Sequence, residues 1–412
     1  MSTSEDDAPT LRWAVLALLG LLMFGSYYGY DAIAPLAEIL GRELGFTDTQ
    51  IGGLNAIYSA PNVVMVLVGG VLVDRIGLRR VILGTSIVLC AGAFLTAARP
   101  DYAMMAAGRL LFGLGAETMI IAATTAIGLW FAKKHLALAM AIAVSLARAG
   151  SYAADVSPAW APELYAAGWR PPLLVAAGFA TLGLVGAVGY LFVARRAELG
   201  AKERAERFEW RTLLKLGPRY YILVATCVLF YATIFPFRST FAVKYYQHAH
   251  GLSLEDASTT NGIVFLTAVV ATPIFGALVD RLGRHRAWLV GGALVLLLAF
   301  VLLLTRADPR IATALLGISF ALVPAVLWPA VALTVEPHRL GTAYGLMAML
   351  QNLGLTAANV IAGRINDASG AGAADPGAYR PMLLFFTALA LGAAVTAGAG
   401  LIRGRRETIR GT

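Results

Sequence analysis

The stretch GGVLVDRIGLRR (Gly69–Arg80) occurs a second time in this chain, slightly altered, as FGALVDRLGRHR (Phe275–Arg286). Each copy has an Asp-Arg pair followed by a glycine and a final arginine, and each comes at the end of an apolar run long enough to cross a bilayer. Repeated halves of this kind are typical of membrane transporters, whose substrate site lies near the middle of the membrane between the two repeats. The repeat therefore predicts a fold of two related helical halves.

The composition of the whole chain agrees with a membrane protein. Of its 412 residues, 58% are hydrophobic and 14% are charged, whereas a soluble domain typically carries about 25% charged residues. The apolar residues cluster in runs of about 20, the length that a transmembrane helix needs. We predict twelve membrane spans, at residues 12–36, 50–73, 80–98, 102–131, 136–161, 171–194, 219–245, 258–279, 287–305, 311–334, 340–363 and 381–402.

The basic residues predict how these spans are oriented. Most lysines and arginines outside the spans fall in loops on one side, and the positive-inside rule makes that side cytoplasmic, together with both termini. The net charge of +9 thus reflects topology and does not indicate a nucleic-acid partner. The acidic start of the chain, MSTSEDDAPT, lacks the basic segment of a signal peptide. The basic loops are 74–80, 132–135, 195–218, 280–286, 336–339 and 403–412.

The longest of these loops contains RRAELGAKERAERFEWRTLLK (Arg195–Lys215) and separates six predicted spans from six. We therefore predict an N-terminal six-helix bundle at residues 1–194, a cytoplasmic linker at 195–218 and a C-terminal six-helix bundle at 219–412. The two cysteines fall inside apolar runs, so they indicate neither a disulfide framework nor a metal site.

The motif and its copy, together with GRLLFGLG (Gly108–Gly115), resemble the major facilitator superfamily. Shorter stretches along the chain are similar to the lysosomal dipeptide transporters of animals, a branch of that superfamily. The resemblance implies an all-α membrane protein with twelve transmembrane helices in two pseudo-symmetric six-helix bundles, and secondary transport of dipeptides by alternating access. The shorter stretches are YYGYD (Tyr27–Asp31), YSAPNVV (Tyr58–Val64), SLARAGS (Ser145–Ser151), FPF (Phe235–Phe237), LWPAVA (Leu327–Ala332) and LGTAYGLMAMLQNLGL (Leu340–Leu355).

Two ionisable residues lie deep inside predicted spans, where a charge costs roughly 2.5–3.5 kcal/mol unless it faces a cavity or a partner. At about 1.5 Å of rise per residue, Glu117 lies roughly 24 Å from the cytoplasmic end of span 4, and Arg148 lies roughly 21 Å along span 5. A short loop joins spans 4 and 5, so we expect them to be antiparallel neighbours. Glu117 and Arg148 should then approach one another or share a cavity.

A zwitterionic solute explains this pair of opposite charges. The guanidinium of Arg148 suits a carboxylate, the carboxylate of Glu117 suits an ammonium group, and the termini of an extended dipeptide lie roughly 7 Å apart. The resemblance implies the same roles, since a glutamate and an arginine of these two motifs engage the substrate in the dipeptide transporter branch. A buried structural ion pair between Glu117 and Arg148 is the alternative.

Polar and aromatic side chains complete the predicted substrate site. Arg238 adds a further cation at a point where the dipeptide branch continues with an apolar residue after its FPF motif. It either favours anionic substrates or pairs with Asp31, which lies at similar height. The other candidates are Tyr30, Tyr58, Asn62, Trp328, Gln351 and Asn352.

Charges of the repeated motif are assigned to gating, because charge pairs and helix dipoles at helix ends can hold one conformation. Arg109 in span 4 joins this group: the resemblance implies conformational control linked to substrate or to protons, and bonding to the carbonyls of span 1 is the structural alternative. Gly113 and Gly115 on the same span allow a neighbouring backbone to come close. The gating candidates are Asp74, Arg75, Arg79, Arg109, Asp280 and Arg281.

Several functions remain to be compared. The leading one is a secondary transporter of dipeptides, and the second is a transporter or exchanger of organic anions such as monocarboxylates, using Arg148 and Arg238. The third is a receptor or scaffold without transport. The chain has no G-x-x-x-x-G-K-S/T, H-E-x-x-H or G-x-S-x-G motif, which argues against ATP-driven pumping and against an enzyme. We expect no cofactor, no metal and no nucleic-acid partner, and a monomer in the plasma membrane of a prokaryote that binds a small-molecule substrate.

Overall fold

The computed structural model describes residues 7–132, 134–196, 216–336 and 339–410. Within these ranges the chain is almost entirely helical and contains no β-strand. Most of the predicted linker, residues 195–218, lies outside the described residues. We refer to residues 7–196 as the N-terminal half and to residues 216–410 as the C-terminal half.

Sequence signals mark where the helices of the N-terminal half begin and break. Thr47 and Gln50 form a capping box at the start of one helix, and Asp101 caps another by accepting from the amide of Met104. Pro35 lies in a 3₁₀ turn that interrupts the first span, because proline lacks the amide that a continuous helix needs. The helices are α1 (Asp7–Asp31), α2 (Ala37–Leu44), α3 (Asp48–Ser59), α4 (Asn62–Ile76), α5 (Leu78–Thr96), α6 (Tyr102–Phe131), α7 (Leu136–Asp155), α8 (Ser157–Trp160), α9 (Pro162–Ala166) and α10 (Arg170–Arg196).

The C-terminal half has one irregular helix near its start. Pro236 ends α11, and the chain continues through a π-helical turn, Phe237–Phe241, that carries Arg238. The wider turn accommodates a proline that cannot continue the regular hydrogen-bond ladder. The helices are α11 (Pro218–Pro236), α12 (Ala242–His250), α13 (Leu254–Leu282), α14 (His285–Leu304), α15 (Pro309–Ala332), α16 (Leu340–Ser369) and α17 (Arg380–Arg410), with a 3₁₀ turn at Pro376–Tyr379.

Length and hydropathy identify most of the predicted membrane spans. Among the described residues, 10 helical segments are long and apolar enough to cross a membrane. The predicted spans at 50–73 and 136–161 are not among them and correspond to α3 with α4 and to α7. The all-helical membrane architecture is therefore confirmed, while the count of twelve spans stays a prediction.

Each half has its own apolar core, and the first helix is central to the N-terminal one. Helix α1 packs against α6, α7 and α10, and α7 packs chiefly on α1. Gly150 on α7 leaves no room for a side chain against the Phe24 backbone, which lets α1 and α7 approach closely. We expected α6 and α7 to be neighbours, and they do touch, although α7 packs far more extensively on α1.

Two glycines of α6 allow the close packing that the sequence predicts. A side chain at Gly113 would collide with the backbone of Tyr58 on α3, and one at Gly115 would lie 2.6 Å from the backbone nitrogen of Leu89 on α5. Helix α6 is therefore held tightly between α3 and α5, which fixes the height of Glu117.

The two halves meet through α3 and α4 against α16, and through α7 against α13. A side chain at Gly52 would collide with the Asn359 carbonyl, and one at Gly363 would collide with the Asp48 carbonyl, so backbones of opposite halves touch at both positions. We call the end of the molecule where α1 begins and α17 ends the terminal side, and the opposite end the distal side. The closest backbone contact between the halves lies toward the distal side.

Candidate functional site

Glu117 and Arg148 lie at the space between the two halves and do not pair with each other. Both side chains are half-buried, and no cationic group of the described residues lies within 4.0 Å of the Glu117 carboxylate. Tyr27 of α1 lies within electrostatic range of both side chains. The ion pair considered as the structural alternative is thus not formed in this conformation, and α1 places Tyr27 within range of both charges.

Arg148 reaches from α7 into the C-terminal half. Its Nη1 donates to Thr272 Oγ1 on α13 at 2.9 Å, and its guanidinium carbon lies 5.1 Å from the ring centre of Phe320 on α15. The Thr272 hydroxyl in turn donates to the Ala268 carbonyl at 2.6 Å, so it is oriented to accept from Arg148. Among the described residues no other acceptor binds this guanidinium, and its remaining N–H groups are available to a carboxylate.

A row of aromatic side chains on the C-terminal half begins at Phe320. Phe235 packs edge-on against Phe320 with ring centres 5.4 Å apart, and Tyr231 stacks on Phe235 at 5.7 Å. Trp328 Nε1 donates to the Tyr231 hydroxyl at 3.3 Å, and its ring centre lies 5.8 Å from that of Tyr344. We call this row, Phe320, Phe235, Tyr231, Trp328 and Tyr344, the aromatic wall.

The other predicted substrate residues divide into two groups. Tyr58 lies within electrostatic range of Glu117, Trp328 belongs to the aromatic wall, and the half-buried Gln351 accepts a long hydrogen bond of 3.5 Å from the Cys227 thiol. Tyr58 thus lies near Glu117, and Trp328 is linked through Tyr231 to the surroundings of Arg148. The remaining candidates, Tyr30, Asn62 and Asn352, are buried, and so is Tyr58.

Arg109 is buried, and its bonds stay within the N-terminal half. The guanidinium donates to the carbonyls of Gly29 at 2.9 Å and Tyr30 at 3.2 Å, to Asn55 Oδ1 at 2.5 Å and to the Leu54 carbonyl at 3.4 Å. The structural alternative for Arg109, bonding to the carbonyls of span 1, is confirmed. With its nitrogens engaged, Arg109 fixes α1 and α3 to α6.

Arg238 pairs with two aspartates of the opposite half. Its Nη1 donates to Asp31 at 2.8 Å, and its Nη2 donates to both oxygens of Asp155 at 2.8 and 2.7 Å. Asn261 also donates to Asp155 at 2.9 Å, and the ring of Phe265 lies 4.2 Å from the guanidinium carbon. The predicted pairing with Asp31 is confirmed, and the guanidinium, only 2% exposed, is engaged inside the protein.

Further toward the distal side, a second set of contacts joins the halves. Lys244 lies 2.7 Å from an Asp48 oxygen, and His248 Nε2 lies 2.9 Å from a Glu38 oxygen. The Asp48 amide donates to Asp367 at 2.7 Å. Together with the Arg238 cluster these contacts close the distal side. We use the term distal seal for six residues that make these contacts: Asp31, Asp48, Asp155, Arg238, Lys244 and Asp367.

The polar contacts between the two halves are unevenly distributed along the molecule. The hydrogen bonds and ion pairs between described residues of opposite halves all lie at the level of Arg148 and Thr272 or nearer the distal side. Arg238 and its aspartates are buried, whereas Glu117 and Arg148 stay partly exposed. Among the described residues, the polar contacts between the halves are therefore concentrated toward the distal side.

Comparison with known proteins agrees with this two-part architecture. The profile of the Major Facilitator Superfamily matches residues 19–359. The chain belongs to the Major Facilitator Superfamily. It is 34% identical to the lysosomal dipeptide transporter MFSD1 of Mus musculus, over 87% of this chain and 81% of that protein. It is 24% identical to the probable sulfoacetate transporter SauU of Cupriavidus necator, over 82% of this chain and 83% of that one.

Solved structures of transporters share the fold. A bacterial homologue of the human lysosomal transporter Spinster, in an inward-facing and unoccupied conformation, has a TM-score of 0.78 at 16% identity and covers 98% of both chains. The nucleoside transporter NupG has a TM-score of 0.74 at 13% identity, over 94% of this chain and 99% of that one. The protein is thus an all-helical membrane transporter of this superfamily and not an enzyme.

The repeated motif of the transporter lies at the terminal side. Arg79 donates to a carbonyl at the end of α10, so it ties the start of α5 to α10 within the N-terminal half. Arg75 and Arg281 are exposed. The side chains of Asp74 and Asp280 lie outside the described part of the structure, and the gating role of the motif stays a prediction.

Sequence reasoning missed most of the transporter's distal seal. The sequence analysis assigned no role to Lys244, Asp48 or Asp367, which lie near the ends of apolar runs. The available signal was the default rule that an ionisable residue in a membrane segment has a partner. That rule names no partner, so the pairs became visible only in three dimensions.

Proposed function

We propose that the transporter carries dipeptides across the membrane by alternating access, with Arg148 binding the substrate carboxylate and Glu117 its ammonium group. One observation carries this proposal: the two opposite charges are both partly exposed, lie within range of the same Tyr27 and do not pair with each other. Ionisable groups are retained inside a membrane protein where a function requires them. A zwitterion supplies the missing counter-charge to both residues at once.

The local chemistry supports the assignment of the two ends. Arg148 keeps N–H groups free while Thr272 fixes its orientation, and a pre-oriented guanidinium loses less entropy when it binds a carboxylate. Tyr27 and Tyr58 lie in range of Glu117, where their hydroxyl oxygens can accept from an ammonium group. Recognition through the termini leaves the side chains of the substrate free to vary.

The closed distal side and the open terminal side correspond to one state of an alternating-access cycle. With the orientation that the positive-inside rule predicts, in a cell membrane with both termini cytoplasmic, this state is open to the cytoplasm. Gating then consists of breaking the distal seal and closing the terminal side. The similarity to a lysosomal dipeptide transporter supports the substrate class.

Transport into liposomes tests the proposal. The purified protein should take up a radiolabelled dipeptide, and dipeptides with both termini free should compete at least about ten-fold better than their N-acetylated or C-amidated forms, because each lost ionic contact costs roughly 1.5–3 kcal/mol. Arg148→Ala should abolish uptake. Glu117→Gln should weaken dipeptides with a free N-terminus more than N-acetylated ones.

Matched controls remove the same charges at exposed positions. Arg364→Ala and Glu163→Gln change exposed side chains and should leave uptake unchanged. Equal competition by free and amidated dipeptides would contradict the carboxylate role of Arg148. Competition by simple monocarboxylates but not by dipeptides would favour the organic-anion alternative.

A further inference from the structure

We infer that the transporter orients its substrate with the C-terminal residue against the aromatic wall, and so prefers a large apolar or aromatic side chain at the second position of the dipeptide over the first. The inference rests on the proposed function, because it takes Arg148 and Glu117 as the groups that bind the two termini. Binding of the two charged termini alone does not favour any side chain of the dipeptide. The inference adds a preference for where a large side chain stands.

The carboxylate end of the site adjoins the wall directly. The guanidinium carbon of Arg148 lies 5.1 Å from the ring centre of Phe320, the residue at which the wall begins, and Arg148 is also within electrostatic range of Tyr231. The side chain of the last residue of a peptide branches from the carbon next to its carboxylate. A carboxylate held by Arg148 therefore brings that side chain to the wall.

The wall has uncovered surface and a fixed shape. Phe235, Trp328 and Tyr344 are only half-buried, so part of their apolar surface is left for a ligand to cover. Trp328 donates to Tyr231, and the Tyr344 hydroxyl donates to the Trp328 carbonyl at 3.0 Å. Rings held in place in this way lose little conformational entropy on binding, and aromatic side chains gain ring-to-ring contacts.

At the ammonium end the half-buried Tyr27 offers some ring surface, but the neighbouring Tyr58 offers little. The ring of Tyr58 already packs on Tyr30 at 4.7 Å and on Phe112 at 5.7 Å, and the Arg109 guanidinium lies 5.2 Å from its centre. Its faces are thus occupied by the protein itself. A side chain on the first residue of the dipeptide meets hydroxyl groups near Glu117, so a large apolar group there gains less.

Two sequence isomers test the inference without changing composition or charge. Ala-Phe and Phe-Ala should be compared as competitors of labelled Ala-Ala uptake in liposomes. We expect Ala-Phe to compete at least about five-fold better, the effect of covering part of one large side chain. If the isomers compete equally, or Phe-Ala competes better, the inference is wrong while the proposed function stands. If neither isomer competes, the proposed function itself fails.

Variants of the wall identify its contribution. Phe235→Leu should bring the ratio between the isomers toward one, and Trp328→Leu should also lower it. The ratio is measured within one variant, so a smaller folded fraction does not affect it. Phe192→Leu removes a ring on α10 that is 62% exposed and should keep the ratio of the parent protein. A ratio that stays unchanged in both wall variants would overturn the role of the wall.

Discussion

Asp367 of the C-terminal half caps a helix of the N-terminal half: its Oδ1 accepts a 2.7 Å hydrogen bond from the backbone amide of Asp48, the first residue of α3. Its Oδ2 accepts from the amide of Thr49 at 2.9 Å. A carboxylate at a helix N-terminus satisfies amides without a helical partner and interacts favourably with the helix dipole. This cap exists only while the distal side is closed.

Removing the cap should therefore shift the transporter toward its distal-open state. Asp367→Ala should lower the closed population by about five-fold, because a helix cap contributes about 1 kcal/mol. Spin labels on Arg42→Cys and Glu255→Cys, exposed distal positions of opposite halves, report the separation; the native cysteines are buried. Asp375→Ala removes a cap within one half and should leave the distance distribution unchanged.

The backbone contact at Gly363 should be equally specific to the closed state. A methyl group there would overlap the Asp48 carbonyl, and overpacking of this kind costs about 1–3 kcal/mol. In Gly363→Ala the same spin labels should show the distal side mostly open. The control, Gly291→Ala, adds the methyl group to a helix position with nothing within 4 Å. An unchanged distance distribution in Gly363→Ala would contradict the described approach of α3 and α16.

The two aspartates of the Arg238 cluster should contribute unequally to stability. Asp155 accepts from Arg238 through both oxygens and also from Asn261, whereas Asp31 accepts one bond and its Oδ2 has no partner. Asp155→Asn should lower the unfolding temperature more than Asp31→Asn, since breaking a buried ion pair costs about 3–5 kcal/mol. Thermal unfolding in detergent measures the order, and the reverse order would show that the hydrogen-bond count does not decide it.

Thr272 should affect the substrate through Arg148. Thr272→Val keeps the shape of the side chain and removes the oxygen that accepts from Arg148, so dipeptide affinity should fall about five-fold with little change in unfolding temperature. Thr125→Val is a matched control, because the Thr125 hydroxyl bonds only the Ile121 carbonyl of its own helix. An affinity unchanged by Thr272→Val would mean that Arg148 needs no orientation from the opposite half.

The parts of the structure that sequence could predict are those set by local chemistry. The length of the apolar runs predicts the helices, and the glycines at 113 and 115 predict close helix packing. A buried Arg109 needs hydrogen-bond acceptors, and carbonyls of α1 supply them. The extensive packing of α7 on α1 could not be predicted in this way. Hydrophobic periodicity tells which face of a helix is covered, but not which distant segment covers it.

The same limit applies to the candidate site. Tyr30 and Tyr58 looked equivalent in sequence and both are buried, yet Tyr58 lies within range of Glu117 whereas Tyr30 lies within range of Asp31 and Arg238. The proximity of Arg238 to Asp31 followed from their equal heights, but the stronger contact with Asp155 depends on how α7 meets α13 across the halves. Heights along a helix can be counted from sequence, whereas the rotation of one half against the other cannot.

The chemical nature of the distal seal has a consequence for turnover. Its members are carboxylates, cationic side chains and backbone amides, all of which water hydrates strongly once the halves separate. An apolar plug of the same area would resist separation by about 25 cal/mol for each Å² exposed, without such compensation. Opening instead exchanges internal hydrogen bonds for hydration, which keeps the two end states close in free energy.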